Sequence, residues 1–300
     1  MRQGDLFKTP SAINFASVIQ AYRLSPKFQG LARATKTSYD YAFRIAAQTD
    51  ALGNISVKEI RPALVQAFLD GFAEHPATQR NVRSAFLALE KWALVRDLLP
   101  RSITEGTEAI RTSESYEPWS DEHIRIAELH ARPDLARLIT LAAGTGQRGS
   151  DLVRMRWTDL ETHDGVEGIR VVTQKTKRTL WIALPAEILA WERSLSFIAP
   201  RFDGVPFTRS QLSTAWNYER AHNPQLAPHK ELGLSFHGLR ATAVIRLRLQ
   251  NIEPTLIANV IGMSVQMVEN YSKKANQIAA ALKVRARTAP AQIIPLKDRR

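Results

Sequence analysis

Apolar residues recur at helical spacing from Ile13 to about Tyr22, the first of four such patterns in the first hundred residues. In RATKTSYDYAFRIAAQT, Tyr39, Ala42, Phe43 and Ala46 share one face, while Lys36, Asp40 and Arg44 lie elsewhere. A third helix follows the turn around Gly53, with Pro62 near its start, where a missing N–H costs nothing. The fourth runs from about Ala77 to Leu98, burying Phe86, Leu89 and Trp92 and leaving Arg80, Arg83 and Lys91 for solvent or phosphate. No strand pattern interrupts this region, which predicts a small all-helical domain. Periodicity fades in RSITEGTEAIRTSESYEP, where Ser, Thr, Glu and Gly replace the apolar stripe. It resumes at PWSDEHI, with Ser120 as N-cap and acidic residues in the first turn.

Helical patterns then continue to about Ala143, and after GTGQRG a further helix is expected to end near Trp157. The runs GIRVVTQ and TLWIALP, joined by KTKR, predict a β-hairpin. Helices are expected again around Ala186–Ser194 and Ser210–Ala221, and from Phe236 onward, with a helix-favouring tail to about Arg287. The predicted organisation is a flexible N-terminus (1–12), a helical domain (13–103), a linker (104–118) and a larger domain with a C-terminal tail (119–300).

Composition narrows the function. Lys and Arg outnumber Asp and Glu by 41 to 29, a net charge of +12, which favours a polyanionic partner, with nucleic acid first. The chain has no cysteine, so disulfides and thiolate metal sites are excluded. No apolar run approaches the roughly 20 residues of a transmembrane helix, and the first residues lack a signal-peptide core. The expectation is a cytoplasmic protein that makes no use of a membrane.

Chemistry-bearing residues are scattered, and each has an ordinary structural explanation. Gly144, Gly146 and Gly149 spell G-x-G-x-x-G, but no strand pattern precedes them, so a tight turn between helices is expected instead of a dinucleotide site. Arg148 and Asp151 form either a solvated local pair or a guanidinium presented to a ligand with Asp151 in support. Lys175, beside Lys177 and Arg178, is either a solvated hairpin-tip lysine or a proton donor reaching into a groove. His237 and Arg240, three apart, project from one helical face, and Tyr271 follows in an amphipathic segment. An imidazole, a guanidinium and a phenol on one unit suit phosphate chemistry, yet each alone reads equally as a capped helix start or a core aromatic. No paired-histidine metal motif, nucleophile elbow or P-loop is present, so neither metal nor cofactor is expected.

The order of these pieces is more specific than any one of them. TGQRGSDLVRMRWTDL, the hairpin VVTQKTKRTLWIALP, FHGLRATAV and VENYSK together resemble the boxes of the tyrosine recombinase (phage integrase) family, and the helical segment 13–100 is similar to its core-binding domain. The resemblance implies a mainly α fold: a SAM-like core-binding domain joined to a helical catalytic domain with a small β-hairpin or sheet. It implies Arg148, Lys175, His237, Arg240 and Tyr271 as catalytic residues, with Asp151 supporting. Lys36, Arg80, Arg83 and Lys177 are candidate DNA contacts. It further implies double-stranded DNA recombination sites as partner, a homo-tetramer on two sites that is a monomer or weak oligomer when free, and no cofactor. A separate arm-binding domain is not expected. One box departs: where the family has Gly-His or Gly-Trp before the nucleophile, this chain reads Gly262-Met263, with no strong donor at either residue. The loss of one phosphate hydrogen bond costs about 1–3 kcal/mol. A non-catalytic DNA-binding relative and a topoisomerase-like nickase on the same scaffold are the alternatives.

Overall fold

The computed structural model describes residues 13–48, 50–108, 116–273 and 284, so the expected flexible N-terminus and nearly all of the C-terminal tail lie outside the described residues. The chain divides into two compact units, residues 1–114 and 115–300.

The first unit holds α1 (Phe15–Leu24), α2 (Pro26–Gln29), α3 (Arg33–Ala46), α4 (Pro62–Asp70) and α5 (Pro76–Leu94). Asn14 caps α1 by accepting the Ser17 N–H at 2.9 Å, and Ser25 caps the short α2, which the apolar pattern does not reveal. Pro62 and Pro76 open α4 and α5. Phe15, Tyr22, Phe43 and Phe86 fill the core, with Phe15–Phe86 and Tyr22–Phe43 edge-to-face at 5.7 Å. The last helix stops at Leu94, short of the expected Leu98. Asp97 takes φ 53° in the turn that follows, and Leu99 re-enters the core. Residues 102–104 are then pinned to α5, where Glu90 accepts from the backbone N–H groups of Ile103 (2.8 Å) and Thr104 (2.7 Å). Of the expected linker, 104–108 is therefore bonded to the first unit, and 109–115 lies outside the described residues.

The second unit begins with α6 (Asp121–His130), α7 (Pro133–Thr145) and α8 (Gly149–Leu152). Ser120 caps α6 as expected, accepting from the His123 N–H at 3.1 Å. The G-x-G-x-x-G run is the end of α7, a turn and the start of α8, with no strand before it. The helix expected to reach Trp157 ends instead at Leu152. From Val153 the burial alternates, Val153 and Met155 inward and Arg154 and Arg156 outward, and Met155 O accepts from the Ile198 N–H at 3.0 Å. Period-two burial with an extended pairing partner overrides the helical propensity of the segment.

A three-stranded antiparallel sheet follows, β1 (Leu160–His163), β2 (Val166–Val172) and β3 (Thr179–Ala183), in the order β1-β2-β3. The predicted hairpin is β2–β3, registered by Ile169↔Ile182 and Val171↔Leu180, both pairs facing the core. The added strand β1 is polar, and its turn to β2 is Asp164-Gly165, both with positive φ. The remaining helices are α9 (Ala186–Leu189), α10 (Arg209–His222), α11 (Ala227–Glu231), α12 (Phe236–Leu249), α13 (Pro254–Ile261) and a helical run at 265–273. The buried core spans α6, α7, the sheet and α10, and a smaller cluster joins α12, α13 and the 265–273 run. Among the described residues no helix is long and apolar enough to cross a membrane.

Candidate active site

Two helix ends meet around one buried guanidinium. Gly146 terminates α7 at φ 63° and Gly262 terminates α13 at φ 73°, the left-handed caps that glycine adopts without penalty. At each, the carbonyl points at Arg240: Nη1 donates to Gly146 O at 2.7 Å and Nη2 to Gly262 O at 3.2 Å. Arg240 is only 2% exposed, and its neighbours are the negative ends of two helix dipoles. Burial lowers its pKa to about 10, with Arg148 adding to the effect and Tyr271 and Asp151 opposing it, so it stays charged at neutral pH. Gln147 braces the same junction, donating through Nε2 to Ile261 O at 3.2 Å.

The Gly262-Met263 step thus has a structural account. Gly262 is the cap, and a Cβ there would lie 2.5 Å from Leu180 Cδ1. Met263 is buried with Val244, Ile257 and Val268. Neither residue offers a side-chain donor to a ligand.

From the first turn of α12, His237 reaches the 265–273 run, where its Nε2 lies 3.1 Å from the Tyr271 hydroxyl. Burial pushes the His237 pKa down to about 4, and the charges of Arg240, Arg148, Arg209 and Lys175 push it the same way. The imidazole is neutral at physiological pH. Burial raises the Tyr271 pKa, Arg240 and Arg148 pull it down, and Tyr116 adds a smaller upward push. Arg240 and Arg148 thus act on both members of this pair, and Lys175 and Arg209 act on His237.

Arg148 is half-buried in the turn between α7 and α8, and its Nη1 is buried with no hydrogen-bond partner among the described residues. Asp151, 2% exposed, makes no hydrogen bond to an arginine among the described residues. Its Oδ1 accepts from the Gln174 N–H at 2.8 Å, which fixes the base of the β2–β3 loop, and its Oδ2 has no hydrogen-bond partner among the described residues. Thr173 closes that loop, its N–H donating to Arg178 O at 2.9 Å and its Oγ1 accepting from the Arg178 N–H at 3.0 Å. Lys175, exposed at the tip, is carried on a loop tied directly to the Arg148 turn.

Two residues escaped the sequence reading. Arg209 opens α10 behind the Thr208–Gln211 capping box, is exposed, and makes no side-chain hydrogen bond or ion pair among the described residues. A cation at a helix N-terminus with no acid in its first turn opposes the helix dipole, a signal available in the sequence. Tyr116 packs against His237 with ring centroids 4.2 Å apart, and only an aromatic in an otherwise polar stretch marked it. Of the other candidate DNA contacts, Lys177 shares the β2–β3 loop with Lys175, and Lys36, Arg80 and Arg83 belong to the first unit. Lys36 donates to Gln29 Oε1 at 3.5 Å, Arg80 is exposed on α5, and Lys177 is exposed at φ 56° in the β2–β3 loop. Arg83 donates to Thr107 Oγ1 and to Thr107 O, each at 3.0 Å, an arrangement that secures the segment after α5. Among the described residues no group of three or more His, Asp or Glu could hold a metal ion.

A family model described as the phage integrase family matches residues 125–277, just over half of the chain and all the site residues except Tyr116. The chain belongs to the phage integrase family. Its mainly helical fold with a small antiparallel sheet is that of the tyrosine recombinases. The chain is similar to the Tn1549 transposon integrase in complex with circular intermediate DNA, with 14% identity, a TM-score of 0.69, and 91% of this chain and 99% of that chain covered. It is similar to a lambda integrase tetramer bound to a Holliday junction, with 18% identity, a TM-score of 0.67, and coverage of 88% and 82%. It is also similar to the XerH site-specific recombinase bound to a palindromic difH substrate, with 14% identity, a TM-score of 0.62, and coverage of 83% and 79%. No curated protein matches the chain.

Proposed function

We propose that this phage integrase family member is a site-specific DNA recombinase that breaks and rejoins strands through a 3′-phosphotyrosyl intermediate. The observation that carries the reading is the 3.1 Å contact between Tyr271 and a neutral His237 inside a field of four cations. Arg240 is braced from behind by two carbonyls, and Arg148 keeps a buried N–H unpaired among the described residues. Both suit the non-bridging oxygens of a phosphodiester and the charge that develops on them.

The Tyr271 oxygen attacks phosphorus, its proton passes to His237 Nε2, and the bond from phosphorus to the 5′ oxygen breaks. Lys175, on its braced loop, protonates the leaving oxygen. The 5′-hydroxyl of a partner strand then attacks the phosphotyrosine and releases the phenol, so bond energy is conserved and no external cofactor is consumed. Electrostatics favour this order. Burial first, and four cations with it, hold His237 unprotonated in the free protein, and an arriving phosphate anion offsets the cations, raising imidazole basicity as the phenol proton must leave. Asp151 acts on the loop of Lys175 through Gln174.

The partner is duplex DNA, consistent with the net charge of +12 and with the DNA complexes of the similar structures. Exchange between two sites calls for four protomers, as in the lambda integrase tetramer on a Holliday junction. The test is covalent trapping on a pool of duplexes with randomised sequence, each nicked so that the cleaved 5′ fragment diffuses away. Recovered protein–DNA adducts identify the site, and two copies of it then report joining. Adducts with joined products support the proposal. Binding without adducts marks a DNA-binding relative, and adducts without exchanged partners mark a nickase.

A further inference from the structure

Residues 116–119 cross the start of α12 as a strap. The Trp119 N–H donates to Thr242 Oγ1 at 2.7 Å, that hydroxyl donates back to Trp119 O at 2.9 Å, and Trp119 Nε1 donates to Ser235 O at 2.9 Å. The backbones approach so closely that a Cβ on Gly238 would stand 2.2 Å from Glu117 O. Gly238, inside the H-x-x-R box, is thus the residue that lets the strap lie down. Its free end delivers the Tyr116 ring onto the His237 ring, 4.2 Å between centroids and tilted by 54°. Tyr116 itself is 46% exposed, so it is not a core aromatic that happens to pass by.

We propose that Tyr116 is a positioning residue for the His237–Tyr271 pair: its ring covers the imidazole, fixes its plane and holds Nε2 on the phenol oxygen. The inference rests on the recombinase reading of the site and adds that the end of the segment joining the two units is part of the active-site wall. Three observations converge on it. Trp119, three residues from the ring, anchors the strap by two hydrogen bonds to Thr242 of α12 and one to the Ser235 N-cap, which confines where the ring can lie. His237 is half-buried, and the Tyr116 ring lies directly against its imidazole. Tyr116 also adds to the upward shift of the Tyr271 pKa, after burial, so it acts on the phenol as well as on the base. The groups facing His237 are Arg240 on its own helix, Arg148 before α8, Lys175 on the β2–β3 loop, Arg209 at the start of α10, Tyr271 on the 265–273 run and Tyr116 on the strap.

The test pairs Tyr116→Ala with Tyr116→Phe in the full chain, with two readouts. In the DNA-free protein, NMR titration of His237 is expected near pH 4 in the wild type. The midpoint should move toward 6.5 in Tyr116→Ala and return in Tyr116→Phe, which keeps the ring. On the trapped substrate, Tyr116→Ala is expected to slow single-turnover cleavage about tenfold or more with DNA affinity unchanged, as displacement of a reacting group does. Gly238→Ala, which must lift the strap, should reproduce both effects. A Tyr116→Ala protein with the wild-type His237 midpoint and cleavage rate overturns the proposal. So does an adduct on Tyr116 in Tyr271→Phe, which would make it a nucleophile instead. If the wild type itself traps no DNA, the recombinase reading fails, and the titration alone decides whether Tyr116 sets His237.

Discussion

Replacing Arg240 by lysine keeps a positive charge and removes the fork. The guanidinium spans two helix ends, 2.7 Å to Gly146 O and 3.2 Å to Gly262 O, and a single ammonium on a shorter reach cannot bond both. One cap carbonyl is then left without its donor at a site only 2% exposed, a loss of about 1–3 kcal/mol in stability. The same substitution removes planar, bidentate recognition of a phosphate. Charge-assisted hydrogen bonds contribute about 1.5–3 kcal/mol each, so cleavage is expected to fall roughly tenfold to a hundredfold or more. The assay is paired: thermal unfolding followed through Trp119 and Trp216, which lie 5.1 Å apart in the second unit, and single-turnover trapping at a temperature where both proteins remain folded. The two readouts separate loss of fold from loss of chemistry. Stability and cleavage rate both within about twofold of the wild type in Arg240→Lys would refute the idea that the two glycine caps exist to hold a bidentate arginine.

Three further outcomes are expected. Asp151→Ala releases the Gln174 N–H and the base of the Lys175 loop; cleavage should drop about tenfold and recover on a substrate whose leaving group needs no proton, and no recovery would detach Asp151 from Lys175. Arg209→Ala should raise the His237 midpoint and lower the salt dependence of DNA binding by about one counterion, whereas an unchanged salt slope means Arg209 meets no phosphate. The pKa values of His229 and His237 are depressed in the fold, mainly by burial, relative to the unfolded value of about 6.5. Because the unfolded chain binds these protons first, stability should be flat above about pH 7 and decline as pH falls through 6.5 toward 4; unfolding midpoints unchanged down to pH 5 would contradict both shifts.

The helices of the first unit were legible because each carries a periodic apolar face and a cap or proline at its start. The site boxes were legible because their order along the chain is specific even where each residue is ambiguous. Two kinds of feature were not. Local ones were outweighed by tertiary pairing: the segment after Leu152 has helix-forming residues, but Val153 and Met155 are buried at period two beside residues 196–198. Strand β1 is too polar to show an apolar alternation, although its Asp164-Gly165 turn was there to be read. The others depend on distant chain segments meeting. Tyr116 reaches His237 across 121 positions of sequence, Arg209 joins the same field from a different helix, and Arg83 turns to Thr107 instead of standing free for phosphate. The Gly262-Met263 step, conspicuous in sequence as a missing donor, proves to be a helix cap whose carbonyl steadies Arg240.

Tyr271 as the attacking group is tested most directly by mapping the covalent bond. The wild-type chain is incubated with the nicked duplex pool, the adduct is digested with protease and nuclease, and the DNA-bearing peptide is sequenced by mass spectrometry. The predicted result is a nucleotide joined through its 3′-phosphate to Tyr271, a free 5′-hydroxyl on the released strand, and no adduct from Tyr271→Phe, which still binds the duplex. An adduct on any other residue, or one that persists in Tyr271→Phe, would contradict it.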